Sequence, residues 1–408
     1  MFQTKKIFLA ISLISIIGCT NKDDAPSVSF GFWRAELSTQ GKKLPFNFKL
    51  VERNERIEFQ FINGEEIIIA DEYQWVNDSL IINMHVFDSQ IKVKVSENEM
   101  NGFWSKNYVE GYDIPIHAVY GDSERFKEKT SHKTFDFSGK WPVTFVRNGD
   151  STAAIGVFEQ ANNHVSGTFL KVSGDYRFLQ GKAFGDSLKL STFDGEHAYL
   201  FEAKIMEDKT IRGEFWAGKG GHLTWFGEKN ESAVLNDGDD LTYLKDGFDR
   251  VDFSFTNEKG QLISTTDDEY SNKVLIIQIL GSWCPNCLDE TKFLSEWYKK
   301  NHHRGVEIIG LAFERKAEFE YGASRIIKLK DRLEIDYEIL FAGKTGREST
   351  QNALPMLNAI VSYPTTIFID RDGVVQKIHS GFSGPGTGSY YDEFVSEFNT
   401  TIDNLLEE

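Results

Sequence analysis

Two cysteines in the carboxyl-terminal half of the sequence have the spacing of a reversible redox pair. They stand in the stretch Trp283-Cys284-Pro285-Asn286-Cys287. A disulfide across only two residues closes almost no chain and adds little stability through loop entropy, which argues against a structural clip. A thiolate at the first position can attack a disulfide, and the second thiol can resolve the mixed disulfide that results. The pair therefore predicts thiol–disulfide exchange, with Cys284 attacking and Cys287 resolving.

The residues on either side predict how the pair is positioned. The apolar stretch 273–280 before it is typical of a buried strand, and residues 288–298 after it carry apolar side chains at helical spacing. Cys284 would then lie at a helix amino terminus, where free backbone N–H groups and the helix dipole favour the thiolate. Pro285 suits the first helical turn because it has no N–H to satisfy. We expect Cys284 to be exposed there.

This arrangement, together with two further motifs, resembles the thioredoxin superfamily, and within it the TlpA-like envelope thiol–disulfide oxidoreductases. The resemblance covers residues 240–408. Glu290, three residues after the second cysteine, matches an acidic residue that some of these reductases use in proton handling. The motif Tyr363-Pro364-Thr365-Thr366 precedes a β-branched strand and resembles the family's cis-proline loop. The resemblance implies an α/β domain with a sheet between helices, and catalytic roles for the cysteine pair and Glu290.

The resemblance also implies how substrate and electrons reach the pair. Trp283, Tyr363, Pro364 and Thr365 are expected to bind an extended segment of a protein disulfide substrate. Tyr363 is bulkier than the family's usual residue and would narrow the groove. The family implies a reductant supplied by a membrane electron donor, and we expect no cofactor and no metal. For Glu290 the alternative interpretation is a solvated first-turn carboxylate favoured by the helix dipole.

The amino terminus has the pattern of a targeting segment. Lys5 and Lys6 precede an apolar run over residues 7–17 that is too short to span a bilayer comfortably. The run ends in Gly18-Cys19, which resembles a bacterial lipobox, so Cys19 would carry a lipid; an ordinary signal peptide with a chance cysteine is the alternative. The expected location is the bacterial cell envelope, at the periplasmic face of the outer membrane, with the cell surface as the alternative.

Cysteine count and charge exclude several classes of function. The chain has 3 cysteines, so a lipidated Cys19 leaves only Cys284 and Cys287, which excludes a disulfide framework. The sequence has no second C-x-x-C and no paired histidine motif of a zinc site, and His302-His303 is predicted to be a solvated helix end. The net charge of −17 argues against a nucleic-acid partner.

The first half of the chain alternates apolar and polar residues with a period of two. This pattern is typical of antiparallel strands with one buried face. Trp33 recurs as Trp141 after 108 residues, and Trp104 recurs as Trp216 after 112 residues, which indicates an internal repeat. The sequence therefore predicts two antiparallel all-β modules, as barrels or as one sandwich. We expect their tryptophans to lie in the cores: Trp33, Trp104, Trp141, Trp216 and Trp225.

Seven segments follow from these patterns. They are a signal peptide (1–18), a tether (19–29), β module 1 (30–120), a linker (121–136), β module 2 (137–227), a linker (228–240) and the redox domain (241–408). The modules could position or recruit substrate for an oxidoreductase. Alternatively, the chain is a β-rich binding or adaptor lipoprotein whose redox domain only maintains a partner's thiols. A peroxidase is disfavoured because a cysteine pair replaces the single peroxidatic cysteine and its nearby threonine.

Overall fold

The computed structural model describes residues 28–54, 56–128, 134–235, 238–239 and 241–407. The predicted signal peptide and Cys19 lie outside these residues. An antiparallel sheet of nine strands comes first, in the order β4-β3-β2-β1-β9-β8-β7-β6-β5. Its strands are β1 (Gly31–Thr39), β2 (Lys42–Arg53), β3 (Arg56–Asn63), β4 (Glu66–Ala70), β5 (Glu72–Val76), β6 (Ser79–Asn83), β7 (Ser89–Ser96), β8 (Glu99–Lys106) and β9 (Asp113–Tyr120).

A second antiparallel sheet of nine strands follows and closes on itself. Its order is β11-β10-β18-β17-β16-β15-β14-β12-β13, and pairing of β11 with β12 completes the ring. Its strands are β10 (Gly139–Arg147), β11 (Asp150–Ala161), β12 (His164–Lys171), β13 (Gly174–Asp175), β14 (Leu179–Phe184), β15 (Ser187–Phe193), β16 (Ala198–Ile205), β17 (Ile211–Ala217) and β18 (Gly221–Gly227).

The two sheets have matching strands, as expected for an internal repeat. Trp33 lies in β1 and Trp141 in β10, and the indole Nε1 of each donates to the carbonyl four residues earlier, at 2.9 Å to Ser29 and 2.8 Å to Phe137. The predicted fold class of two all-β modules is confirmed, with one sheet forming a closed barrel. The tryptophans predicted to be core residues are all at most 6 % exposed: Trp33, Trp104, Trp141, Trp216 and Trp225.

The carboxyl-terminal domain has a seven-stranded mixed sheet in the order β20-β19-β23-β22-β21-β24-β25. Its strands are β19 (Ser254–Asn257), β20 (Leu262–Ser264), β21 (Val274–Leu280), β22 (Val306–Glu314), β23 (Glu338–Lys344), β24 (Thr365–Ile369) and β25 (Val375–Ser380). Its helices are α1 (Pro285–Asn301), α2 (Phe319–Leu333), α3 (Arg347–Ala353) and α4 (Ser389–Glu407). Alternate residues of β21 belong to two different hydrophobic clusters, so both faces of this central strand are covered. The predicted α/β layers are confirmed, whereas α3 was not predicted.

The segment 121–136 was expected to be a polar linker, and its described part is not a free connection. Arg125 and Phe126 are each 5 % exposed. The Arg125 guanidinium donates to the carbonyl of Ser191 in the second sheet at 2.9 Å, and to Asn47 Oδ1 in the first at 3.3 Å. Burial lowers the pKa of Arg125 to about 9. A buried cation needs hydrogen-bond acceptors, and those of Arg125 come from both sheets.

The second expected linker, 228–240, also contacts the redox domain in its described part. The carboxylate of Asp239 lies 3.0 Å from Lys377 Nζ and 2.7 Å from His379 Nδ1, both in β25.

No helix in the described ranges has the length and apolar character needed to cross a membrane.

Candidate active site

The cysteine pair lies where β21 ends and α1 begins. Cys284 caps the helix, and its Sγ accepts the backbone N–H of Cys287 at 3.2 Å. Pro285 is the first helical residue, as the sequence predicts. The two sulfurs form a disulfide, with the Cα atoms 5.2 Å apart. A sulfur that accepts a backbone N–H at a helix amino terminus is favoured as thiolate over thiol.

The prediction that Cys284 is exposed is wrong for this oxidised structure. Cys284 is 6 % exposed and Cys287 is 1 % exposed. The Cys284 Sγ lies 3.4 Å from the carbonyl oxygen of Tyr363, so the loop before β24 covers it from one side. Asn286, between the cysteines, is itself half-buried against the second β sheet. Sequence spacing identified the pair but contained no information about the neighbouring domain that covers it.

Trp283 forms a wall beside the pair. Its indole Nε1 donates to the carbonyl of Phe313 at 2.9 Å. The guanidinium carbon of Arg315 lies 3.8 Å from the centre of the indole ring, a cation–π distance. The Tyr363 ring meets the indole edge-on at a centroid distance of 5.3 Å. Trp283 and Tyr363, both predicted to bind substrate, are therefore in contact with each other.

A buried carboxylate holds the loop that precedes the pair. Glu314, the last residue of β22, is 0 % exposed, and it accepts the Ser282 backbone N–H at 2.9 Å and the Ser282 hydroxyl at 2.8 Å. Burial raises the pKa of Glu314, and the two hydrogen bonds oppose that rise. Glu314 was not predicted as a site residue, because a glutamate that ends an apolar strand shows no sign of its partner 32 residues away.

The proline loop lies where the resemblance implies. The Tyr363–Pro364 peptide bond is cis. Thr365 is 0 % exposed and its hydroxyl donates to the Ser362 carbonyl at 2.9 Å. Burial raises the pKa of Tyr363 to about 12, so its hydroxyl stays protonated at neutral pH. The Tyr363 carbonyl thus borders the sulfur of Cys284, whereas the Thr365 side chain is buried.

Glu290 lies on the inner face of α1, one helical turn beyond Cys287. It is 1 % exposed, so the interpretation of a solvated carboxylate is wrong. Its oxygens accept from Gln278 Nε2 in β21 at 2.7 Å and from Thr366 Oγ1 in β24 at 2.8 Å. Burial raises the pKa of Glu290 to about 7, against the lowering effect of the two hydrogen bonds. The carboxyl can therefore gain or lose a proton near neutral pH.

We expect Glu290→Gln to remove a pH dependence of folding stability. The ordinary pKa of 4.5 applies to the unfolded chain and about 7 to the folded one, so ionisation favours unfolding. The stabilising contribution is complete below pH 4.5 and is lost as the pH rises through about 7. Across this pH range, the wild-type chain is expected to lose about 3 kcal/mol of unfolding free energy that the Glu290→Gln chain does not lose. Urea unfolding of both chains across this pH range measures it.

The matched control for this prediction is Glu296→Gln, an exposed residue on the same helix. That variant should keep the wild-type slope of unfolding free energy against pH. Equal slopes in wild type and Glu290→Gln would contradict the assignment of the titration to Glu290.

A buried charge cluster beside the pair was also not predicted from the sequence. Arg177, in the turn after β13, is 4 % exposed. Its Nε and Nη2 donate to both oxygens of Asp289, two residues after Cys287, at 2.8 and 2.9 Å. The same guanidinium contacts Glu66 of the first sheet and lies 3.4 Å from Asp194 of the second. Burial alone would lower the pKa of Arg177, but the three carboxylates raise it above its ordinary value.

The remaining predicted residues have these positions. His302 and His303 form an exposed turn at the end of α1, as predicted. Among the described residues no group of three or more His, Cys, Asp or Glu side chains is arranged to hold a metal ion. Cys19 lies outside the described residues.

Comparisons with known proteins concern the redox domain. Residues 249–378 match the model of the AhpC/TSA family. Thiol-disulfide oxidoreductase ResA of Bacillus cereus is 28% identical over 140 residues, covering 34% of this chain and 72% of that protein. Thioredoxin-like protein YneN of Bacillus subtilis is 25% identical over 138 residues, covering 34% of this chain and 73% of that protein.

A solved structure of a thiol-disulfide oxidoreductase from Bacteroides fragilis is 23% identical, covers 36% of this chain and 99% of its own, and has a TM-score of 0.26. The family match contains β19 to β24 and α1 to α3 of the carboxyl-terminal domain. Over residues 249–378 the chain is therefore similar to the AhpC/TSA family, and its relatives include proteins named thiol-disulfide oxidoreductase ResA.

Proposed function

We propose that this chain is an envelope-anchored reductant of protein disulfides, with Cys284 and Cys287 as its redox pair. The observation that carries the proposal is the position of Cys284, which caps α1 while its Sγ lies 3.4 Å from the Tyr363 carbonyl. The helix end favours a thiolate, and the proline loop offers main-chain groups to an extended substrate.

The reaction consists of two exchanges that conserve sulfur and electrons. The Cys284 thiolate attacks one sulfur of a substrate disulfide, forms a mixed disulfide and releases the first substrate thiolate. The Cys287 thiolate then attacks the Cys284 sulfur, which releases the second substrate thiolate and leaves the Cys284–Cys287 disulfide. The substrate gains two electrons and the pair loses two. An external dithiol, proposed to be on a membrane donor, restores the reduced pair.

Glu290 is proposed to handle the proton of Cys287. It lies one turn along α1 from this cysteine and is shielded from solvent. With a pKa of about 7, its carboxylate can accept the thiol proton when Cys287 becomes the attacking group. Trp283, Tyr363 and Pro364 are proposed to border the substrate, and Thr365 to fix the loop through its bond to Ser362.

The test of the proposed function is catalysed reduction of a model protein disulfide. We expect the full-length chain to accelerate the reduction of insulin by dithiothreitol. The cysteine pair passes electrons from dithiothreitol to insulin faster than the two exchange directly. A chain in which both Cys284 and Cys287 are serine is the control and should give the uncatalysed rate. Equal rates for wild type and control would refute the proposed function.

The proposed anchor is a lipid on Cys19. The support is the sequence, in which Lys5 and Lys6, an apolar run and small Gly18 precede this cysteine. Labelled palmitate should be incorporated by the wild-type chain in bacteria and not by Cys19→Ala. Labelling of both chains alike would contradict the anchor without bearing on the redox pair.

A further inference from the structure

A short segment of the second β sheet crosses the face of the redox domain beside Cys284. It comprises residues 172–175, from the end of β12 to β13. The Ser173 carbonyl accepts the Ser362 hydroxyl at 2.7 Å, and the Asp175 carbonyl accepts Asn286 Nδ2 at 3.2 Å. Residues 172 and 173 form the turn between the paired strands β12 and β13, so the redox domain is contacted by the end of a β hairpin, whose carbonyls accept two side-chain donors.

The two donors lie on opposite sides of Cys284. Ser362 immediately precedes the Tyr363–Pro364 bond, and Asn286 stands between the two cysteines. The segment thus joins the proline loop to the start of α1. Both donors are neighbours of Cys284 in the fold: Asn286 lies two residues after it, and Ser362 precedes Tyr363, whose carbonyl oxygen lies 3.4 Å from the Cys284 Sγ. Cys284 itself is 6 % exposed.

The contact is too close for side chains at two glycines. A Cβ added to Gly174, whose φ is +124°, would lie 2.5 Å from Asn286 Nδ2. A Cβ added to Gly381, whose φ is +91°, would lie 2.7 Å from the Val172 carbonyl oxygen and 2.8 Å from the Ser173 carbonyl carbon. At Gly381 the redox domain therefore meets the segment backbone to backbone, and at Gly174 the backbone of the segment meets the Asn286 side chain.

The downstream end of the segment is fixed to the redox domain by charge. Asp175 Oδ2 accepts the Gly384 backbone N–H at 2.7 Å. Arg177 holds Asp289 of α1 through two hydrogen bonds. These contacts are buried, so displacement of the segment has a free-energy cost that ordinary surface contacts would not impose.

We propose that residues 172–175 occupy the groove that would bind an extended substrate, and that they determine which disulfides reach Cys284. Small thiols and disulfides enter with the segment in place. A protein segment binds only when residues 172–175 are displaced. Its carbonyls then accept the Ser362 hydroxyl and the Asn286 amide in place of the carbonyls of Ser173 and Asp175. The inference rests on the proposed redox function and adds a specificity-determining element that the β modules supply.

Gly174→Ala tests the inference because the added Cβ pushes the segment away from Asn286. The oxidised full-length chain is reduced by dithiothreitol, a small dithiol, or by a reduced bacterial thioredoxin, a protein dithiol. Formation of free thiols at Cys284 and Cys287 gives the two rates. The ratio of the thioredoxin rate to the dithiothreitol rate should rise about tenfold, because residues 172–175 are displaced in a larger fraction of molecules.

The matched control is Gly149→Ala in the turn between β10 and β11. Gly149 also has a positive φ, +93°, and an added Cβ there meets nothing within 4 Å. It reproduces the backbone strain in the same sheet without touching the redox domain, so its ratio should equal that of wild type. A ratio in folded Gly174→Ala that stays at the wild-type value would overturn the inference.

A second measurement does not depend on how Gly174→Ala folds. A cysteine-containing peptide is linked to Cys284 in the Cys287→Ser chain, and hydrogen exchange is followed over residues 172–175. Exchange should be faster than in the unlinked chain, because the peptide displaces the segment. Unchanged exchange would refute displacement. If dithiothreitol cannot reduce the pair in any chain, the proposed function fails and the inference fails with it.

Discussion

Cys287→Ser is expected to accumulate mixed disulfides through Cys284, whereas Cys284→Ser is expected to lose disulfide exchange down to the uncatalysed rate. The reason is the asymmetry of the pair. Cys284 caps α1 and its sulfur accepts the Cys287 N–H, whereas Cys287 lies within the first turn and is 1 % exposed. Only Cys284 can begin the exchange, and without Cys287 the mixed disulfide has no resolving thiol.

The measurement is non-reducing electrophoresis with mass spectrometry after incubation with a disulfide-containing protein. Cys19→Ser is included in every chain, because it removes the third of the 3 cysteines. The double variant of Cys284 and Cys287 is the control and should form no adducts. Adducts that form with Cys284→Ser but not with Cys287→Ser would reverse the two roles.

Arg177→Met is expected to lower the free energy of unfolding by about 3–5 kcal/mol, because three buried carboxylates then lose the cation that they share. The guanidinium is 4 % exposed and contacts Glu66, Asp194 and Asp289, which come from the two β sheets and α1. Methionine fills similar volume but leaves these carboxylates without the cation. Urea unfolding of the full-length chain at neutral pH measures the loss.

A pH comparison separates lost charge from lost packing. Burial already raises the pKa of Glu66, and removal of Arg177 takes away its main opposing effect. Protonation of Glu66 removes its unpaired charge. The difference in unfolding free energy between wild type and Arg177→Met should therefore shrink as the pH falls below neutrality. The control is Arg212→Ala on the exposed side of β17, with an expected change of about 0.5 kcal/mol or less. If Arg177→Met loses the same unfolding free energy at acidic and neutral pH, the loss is due to packing and not to charge.

The amino-acid sequence by itself predicted the parts of the molecule that local rules govern. Period-two alternation predicted the antiparallel strands, because one face of such a strand is buried and the other is exposed to solvent. The apolar stretch before Cys284 and the helical spacing after it predicted the strand, the cap and the helix. The tryptophan pairs predicted two modules with matching strands. For the strands, the cap and the helix, the physical cause lies within a few residues of the pattern.

Only the tertiary structure decided which distant residues meet. Arg177 and Asp289 are 112 positions apart, and Ser173 and Ser362 are 189 apart. Neither Arg177 nor residues 172–175 show in the local sequence any sign of these partners. The burial of Cys284 and Glu290 was decided in the same way. These contacts depend on how three separately patterned domains dock, and docking is set by surface shape and charge that no local periodicity encodes.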